Sequence, residues 1–200
     1  MSGHAWSHHF LKKKSQMPEK IEHLIKDLKK KLGCDVKFSR CDNTGENVKT
    51  QELCLKEGLG ITFEFTAVSA PQQNGKVKRR FATLHGRVRS MFNGTELSKS
   101  LHGGLWAECG KTATVLDNLD CEEGLKTRHF HFWGKDYEGF NHLRAFGEVG
   151  IVTQGAKIRS KLDNKSLGCL HLGHAEDHGK DVCLFLKLKT TKVIRSELEM

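Results

Sequence analysis

The spacing of apolar residues changes near residue 122, and this change is the strongest constraint on the fold. Before it, apolar side chains recur every three or four residues in stretches that predict helices, with short strand-like runs between them. After it come short strand-like segments separated by turn-rich sequence, which is typical of a small all-β module. The sequence therefore predicts an α/β segment followed by a β module.

The first part of the chain alternates predicted strands and helices, as α/β domains do. Pro18 suits the start of a helix and Gly33 its end, because proline fixes a helical φ and glycine readily adopts the left-handed conformation after a last turn. The predicted elements are a strand at Trp6–Leu11, a helix from Pro18 to Leu32, a strand from Val36 running into Asp42, a helix at Lys49–Glu57 and a strand at Ile61–Phe65.

The clearest helix follows a polar loop at 69–75 and is marked by Val77, Phe81, Leu84 and Val88. Another predicted helix covers Leu105 to Leu116. An irregular, aromatic linker is then expected, followed by four strands. In order, these last predictions are a linker at 122–142 and strands at 143–152, 166–172, 182–188 and 192–195.

The composition is basic, with 33 Lys and Arg against 24 Asp and Glu and a net charge of +9. This balance favours a polyanionic partner such as nucleic acid. No apolar run reaches the length of a membrane-spanning helix, and no secretory signal begins the chain. The seven cysteines are irregularly spaced, which indicates reduced thiols in an intracellular protein. Even with His4, His8 and His9 they fit no common zinc spacing.

Three groups of motifs occur in a fixed order along the chain. They are Phe10–Ser15 with Arg40–Glu46; Gly60–Thr66 with Pro71–Gly75; and Leu143–Gly147 with Arg159–Asp163 and Cys169–Gly173. In this order they resemble the integrase core of copia-type LTR retrotransposons, truncated at its N-terminus and followed by the family's SH3-like β module. The resemblance covers nearly the whole chain.

The resemblance implies a fold, a set of domains and a chemistry. The expected fold class is α/β, a partial RNase H-like layer (the retroviral integrase catalytic core) with a small C-terminal SH3-like β module. The expected domains are 1–121 for the core, 122–142 for the linker and 143–196 for the β module. The family joins element DNA to host DNA in the nucleus, with two Asp and one Glu holding two Mg²⁺ ions that promote displacement at phosphorus.

The family's second Asp falls on Asp42, at the end of a predicted strand. Thirty-five residues separate this Asp from the family's Glu, and the position at that spacing is Lys78. A protonated lysine repels a nearby divalent cation by several kcal/mol, on the order expected at an intermediate dielectric. Asp42 alone is then expected to bind Mg²⁺ weakly at best. No Mg²⁺ is expected to be bound in a catalytically productive way, and the chain is predicted to be catalytically inactive.

The family's first Asp is expected on a strand upstream of Trp6, where Met1–Ala5 hold no acidic residue. Glu46 and Glu64 are the acidic residues that could replace a lost ligand. Glu46 matches the family's own Glu beside the second Asp, which argues against a new role. The direction of Glu64 within its strand is open at this stage.

The loop and helix from Ala70 to Ser90 carry basic residues and no acidic residue. The resemblance places this region beside DNA, so we expect non-specific phosphate contacts whose strength depends on salt. A solvated helix face is the alternative interpretation, and Asn74 also suits a helix N-cap. The candidate nucleic-acid-binding residues are Asn74, Lys76, Lys78, Arg79, Arg80, Arg87 and Arg89.

Three other interpretations remain open. One is a working integrase or nuclease with a different metal arrangement. Another is a domesticated module that binds protein through the β segment, about Leu143 to Ser196. The third is a decayed relic without a role. Because a core strand is missing in this interpretation, we also expect open sheet edges through which copies self-associate.

Overall fold

The computed structural model describes residues 5–67, 71–95, 97–121, 126–153, 166–175, 178–179 and 181–197. Helices and strands are mixed, as predicted. The chain forms two compact units, Met1–His8 with Thr83–Met200 and His9–Ala82. We call His9–Ala82 the N-terminal unit and the other the C-terminal unit. Among the described residues, no helix combines the length and apolar character needed to cross a membrane.

The N-terminal unit begins with helix α1 (Met17–Leu32). Glu19 lies in its first turn and Lys29, Lys30 and Lys31 in its last, so each charge complements the helix dipole. The helix ends at Gly33, whose φ of 64° is left-handed. The predicted helix and its glycine cap are therefore confirmed.

Two parallel strands, β1 (Phe38–Cys41) and β2 (Thr62–Phe65), pair in register from Phe38 opposite Thr62 to Cys41 opposite Phe65. Helix α2 (Gly45–Lys56) connects them, as parallel pairing requires. The predicted strands are confirmed, but α2 begins four residues before the predicted start. Its first turn forms because the Thr44 carbonyl accepts from the Asn47 and Val48 amides.

Few side chains of the N-terminal unit are fully buried. Its buried residues among those described are Pro18, Thr50, Cys54 and Ile61. The Lys26 ammonium contacts both Glu22 and, at 2.8 Å, Glu57, and this pairing raises the pKa of Lys26. Exposed ion pairs of this kind contribute little to stability. In the described residues β1 and β2 have only each other as neighbours, and self-association through their edges stays a prediction.

The predicted strand at Trp6–Leu11 is wrong. Residues 6–11 are not part of a strand, and the backbone groups of Trp6 bond to a side chain. Asn118 Oδ1 accepts from the Trp6 amide at 2.8 Å, and Asn118 Nδ2 donates to the Trp6 carbonyl at 2.7 Å. Because the Asn118 side chain bonds both the amide and the carbonyl of Trp6, this residue needs no neighbouring strand.

The C-terminal unit contains the larger core. Helix α3 (Gly75–Asn93) contributes Leu84, Val88 and Phe92 from its C-terminal part, and helix α4 (Lys99–Leu119) contributes Leu105, Cys109 and Ala113. These side chains pack with apolar residues of the C-terminal sheet. Both helices were predicted, and both extend a few residues beyond the predicted limits. The sheet residues in this core are Leu170, Leu172 and Leu186.

Four strands form an antiparallel sheet in the order β3 (Val149–Thr153), β4 (Ser166–His174), β5 (Val182–Lys187) and β6 (Val193–Glu197). Each overlaps a predicted strand. The second face of the sheet buries Val152, Cys169, Cys183 and Phe185 in a separate cluster. Burial on both faces explains why β4 reads as a nearly continuous apolar run.

Helix α4 approaches β4 closely at an irregularity between His171 and Gly173. The Thr112 hydroxyl donates to the Leu172 carbonyl at 2.9 Å. A Cβ at position 173 would lie 2.3 Å from Thr112 Oγ1, and the φ of Gly173 is 125°. Glycine is therefore required here both by the backbone conformation and by the approach of the helix.

The predicted irregular linker contains a helix, so that prediction needs correction. Helix α5 (Arg128–Trp133) is capped at its start by Thr127, whose hydroxyl accepts from the Phe130 amide at 3.0 Å. Gly134 ends it with a φ of 70°. Caps at both ends define this short helix despite its aromatic composition. The predicted strand from Leu143 begins only at Val149.

A buried carboxylate joins α3 to α4. Asp117 is fully buried and forms an ion pair with Arg87, which also lies 3.4 Å from Asp120. Arg128 Nη1 donates to the Asp117 carbonyl at 3.1 Å. A buried charge that loses its partner is costly, so this pair fixes which faces of the two helices meet.

We expect Arg87→Leu to lower the free energy of unfolding of the C-terminal unit by roughly 2–3 kcal/mol, because it leaves a buried carboxylate unpaired beside a partly exposed position. Arg89→Leu, at an exposed position on the same helix, is the matched control and should change it by less than about 0.5 kcal/mol. All three tryptophans lie in this unit, so urea denaturation followed by their fluorescence measures it. Equal effects of the two substitutions would contradict the structural role of the pair.

Candidate nucleic-acid interface and metal position

Asp42 lies immediately after β1, at an exposed position. Its carboxylate is held by its own segment of chain: Asn47 Nδ2 donates to Oδ1 at 2.6 Å, and the Thr44 hydroxyl donates to the same oxygen at 3.2 Å. Asn47 Nδ2 also donates to the Asp42 carbonyl at 3.0 Å. These hydrogen bonds stabilise the turn that leads into α2, so Asp42 has a structural role.

Lys78 lies in the first turn of α3 and is exposed. The two acidic residues weighed as replacement ligands are placed differently. Glu46 lies in the first turn of α2, where its charge complements the helix dipole. Glu64 is opposite Arg40 in the strand register, and Arg40 donates to its carboxylate at 2.7 and 3.0 Å.

These residues do not fit a two-metal site. A divalent cation such as Mg²⁺ needs several oxygen ligands directed at one point. Within the described ranges, no group of three or more His, Cys, Asp or Glu side chains is arranged to hold a metal ion. The Asp42 carboxylate is hydrogen-bonded to Asn47, and the Glu64 carboxylate is paired with Arg40. Position 78 carries a lysine, which cannot be a ligand for Mg²⁺ while it is protonated.

The predicted basic residues divide between the two units. In the N-terminal unit, Lys76, Lys78 and Arg79 are exposed and Arg80 is half-buried, while Asn74 is half-buried in the single 3-10 turn before α3. We call the segment 74–80 the basic turn. It contains no acidic residue and lies at the positive end of the helix dipole, where phosphate groups are favoured.

Arg87 and Arg89 belong to the C-terminal unit, so they are described apart from the basic turn. Arg87 is committed to Asp117 and Asp120, a role that the sequence did not indicate. Arg89 is exposed. The positive charge of an arginine in the sequence does not show whether its side chain is paired with a buried carboxylate, as Arg87 is, or exposed, as Arg89 is.

A cavity of about 240 Å³ lies in the C-terminal unit between α4, β4 and β5. Its lining residues come from segments far apart in the chain, so no local sequence pattern indicates it. His171 lines it and is 3% exposed, and His171 Nδ1 lies 3.3 Å from the Ala145 carbonyl oxygen. Burial lowers the pKa of His171, and this outweighs the raising effect of the Ala145 hydrogen bond. The imidazole is therefore favoured in its neutral form.

The lowered pKa of His171 predicts a pH effect on stability. The unfolded chain binds more protons than the folded one between the lowered pKa and the ordinary value of about 6.5. The free energy of unfolding should therefore fall as the pH falls through that window, and this contribution should be fully present above it. His171→Asn should reduce this fall in the free energy of unfolding. Urea denaturation followed by tryptophan fluorescence between about pH 7.5 and 5 measures the effect.

His23→Asn is the control for that experiment, since His23 is exposed on α1. This substitution should leave the pH dependence of the free energy of unfolding of the C-terminal unit the same as in the parent chain. The prediction is wrong if the parent and the His171→Asn variant lose stability in parallel over the whole range.

No protein-family profile matches the chain. In sequence it is similar to the retrovirus-related Pol polyprotein from transposon TNT 1-94 of Nicotiana tabacum, with 29% identity over 172 residues. That alignment covers 84% of this chain and 12% of the polyprotein. Among solved structures it is similar to the cryo-EM structure of a simian T-cell lymphotropic virus intasome in complex with PP2A regulatory subunit B56 gamma. There the TM-score is 0.46 with 14% identity, covering 96% of this chain and 64% of that chain.

The sequence comparison bears on the resemblance predicted from the three groups of motifs. It extends over most of this chain, although the chain spans only 12% of the polyprotein's length. The predicted relationship is confirmed in that form: this chain is related in sequence to a segment of a retrotransposon Pol polyprotein.

Proposed function

We propose that this chain derives from the integrase region of a copia-type polyprotein and retains non-specific nucleic-acid binding without strand-transfer activity. In this proposal the N-terminal unit corresponds to part of an RNase H-like layer and β3–β6 to an SH3-like module. The parallel β1-α2-β2 unit and the four-stranded antiparallel sheet support these assignments. The sequence similarity to a retrotransposon polyprotein supports the origin.

The observation that carries the inactivity is the charge at position 78. Metal-dependent strand transfer needs carboxylates that bring two cations to the reacting phosphate. Lys78 supplies a positive charge at the position where the family has its Glu, and like charges about 4 Å apart repel by roughly 4 kcal/mol at an effective dielectric of about 20. Glu64 is held by Arg40 and is no substitute. We therefore propose that Mg²⁺ is not bound productively.

The nucleic-acid binding rests on the basic turn. Lys76, Lys78 and Arg79 place three exposed cationic side chains within four residues, at the positive end of a helix dipole. Such a cluster favours phosphate oxygens without distinguishing bases, so binding should depend little on DNA sequence. The same substitution that removes a metal ligand, Lys in place of Glu, adds a phosphate contact in this proposal.

We expect no strand transfer from the chain when it is incubated with Mg²⁺ or Mn²⁺ and labelled DNA with free 3′-hydroxyl ends. Lys78→Glu alone should not create activity, because Asp42 and Glu64 remain engaged with Asn47 and Arg40. Gel analysis of joined and nicked products measures this, and Asp42→Asn is the control. Products from the parent chain that Asp42→Asn abolishes would overturn the proposed inactivity.

A triple variant, Lys76→Gln with Lys78→Gln and Arg79→Gln, should weaken binding to a short labelled duplex measured by fluorescence anisotropy. Each phosphate contact contributes about 0.9 to the slope of log affinity against log salt, so that slope should shrink by roughly 2–3. Two duplexes of unrelated sequence should bind alike.

The matched control for that variant removes the same three charges from the last turn of α1: Lys29→Gln, Lys30→Gln and Lys31→Gln. Lys29 and Lys31 already pair with Asp35 and Asp27. The control should change the slope by less than about 1. Equal effects of the two triple variants would mean that net charge, and not the basic turn, determines binding.

A second candidate function is protein binding through the C-terminal sheet. Val149 and Ile151 on β3 are 71% and 73% exposed, and Leu188 and Val193 are 51% and 43% exposed. Val149 and Val193 lie at the two ends of a cross-strand row whose middle residues, Leu170 and Leu186, are buried in the core. Exposed apolar side chains such as those at the outer strands favour interaction surfaces. Binding to a protein partner that is independent of salt, without retention on a DNA column, would favour this function over the first.

A further inference from the structure

The cavity in the C-terminal unit has apolar walls and a few polar groups. Val115, Leu116, Leu143 and Leu184 supply aliphatic surface, and Tyr137 supplies an aromatic ring. Small-molecule sites combine mostly apolar lining with a few polar groups that fix orientation. The volume of about 240 Å³ is below the usual range for drug-sized ligands, roughly 300–1,000 Å³, and suits a compound of one or two rings.

The buried polar atoms of the cavity lining include His171 Nε2 and Glu108 Oε2, for which the described residues supply no hydrogen-bond partner. Buried polar atoms in native proteins are nearly always paired, so each such atom indicates a missing partner. The hydroxyl of Thr112, another polar group of the lining, already donates to the Leu172 carbonyl. The cavity therefore offers specific, unused hydrogen-bonding capacity.

Both unused atoms are acceptors. The Ala145 carbonyl can only accept, so His171 Nδ1 carries the proton in their 3.3 Å contact. In the neutral ring the other nitrogen, Nε2, then has a lone pair and no proton. An ionised Glu108 carboxylate also only accepts. A ligand that supplies N–H groups would complement these two acceptors, while Lys111 and Arg144, which also line the cavity, add positive charge to its wall.

We propose that this cavity binds a planar, amino-substituted heterocycle of one or two rings, the class to which amino-bearing nucleobases belong, with Glu108 and His171 accepting hydrogen bonds from its N–H groups. The flat ring would lie against the aliphatic and aromatic walls. The proposal uses only residues of the C-terminal unit and does not depend on the proposed function. Its ligand is either a free heterocycle or a base of a single-stranded nucleic acid.

The test uses the full chain and 2-aminopurine, a fluorescent heterocycle with an amino group, titrated by fluorescence and by calorimetry. Saturable binding of one equivalent is expected. Purine, which lacks the amino group, should bind at least about 10-fold more weakly, because a buried acceptor then stays unpaired. No saturable binding of 2-aminopurine, or equal binding of purine, would overturn the proposal and leave water as the occupant of the cavity.

Glu108→Gln should weaken 2-aminopurine binding at least about 10-fold, because it replaces an acceptor with an amide of similar shape. Glu52→Gln, at an exposed position of α2, is the matched control and should have no effect. Val115→Trp should also abolish binding by filling the cavity while leaving both acceptors in place. Thermal unfolding establishes that each variant is folded, and unchanged binding by a folded Glu108→Gln or Val115→Trp variant would refute the site.

A second arm separates the two sources of ligand. A short single-stranded oligonucleotide carries one central 2-aminopurine, and its fluorescence is measured with the parent chain and with Glu108→Gln. A change that Glu108→Gln removes assigns the site to an unstacked base. A change that survives this substitution, together with binding of the free heterocycle, assigns the site to a small molecule. Duplex binding by the basic-turn variant tests only the proposed nucleic-acid binding. The cavity proposal and the proposed function can therefore fail independently.

Discussion

The contact between α4 and β4 is the interaction on which the C-terminal unit depends. The Thr112 hydroxyl donates to the Leu172 carbonyl, and Gly173 allows the helix to come that close. Around this contact, side chains of α3, α4 and two strands form one apolar core. The cavity beside His171 lies next to this contact, and Thr112, Leu172 and Gly173 are among its lining residues.

Charge is distributed in two distinct ways along α3. In its first turn, Lys76 and Lys78 are exposed and have no acidic residue near them in sequence. Further along, Arg87 is drawn into an ion pair with the fully buried Asp117. An exposed cation contributes to the field that attracts a polyanion, whereas a cation paired with a buried carboxylate is held in the fold. The basic character of one helix thus serves two physical purposes.

How far the sequence predicted this structure depends on the range of the interactions involved. The helices were predicted because apolar residues at helical spacing must face one side, and Gly33 was predicted as a cap from its backbone freedom alone. The predicted strand at Trp6–Leu11 was wrong, and at its first residue the backbone groups bond to Asn118, which is distant in sequence. Helix α5 was missed because its caps, Thr127 and Gly134, are single-residue signals in an aromatic segment.

The sequence by itself determined most of the helices and strands, the basic turn and the positive charge at position 78, since periodicity, net charge and residue spacing are properties of the chain. Only the tertiary structure decided that Glu64 faces Arg40, that Asp42 is bound by Asn47 and that Arg87 is committed to Asp117. It also brought His171 and Glu108 to one cavity. The physical reason is that a side chain's partners depend on which distant segments fold against it, and local sequence carries no record of that.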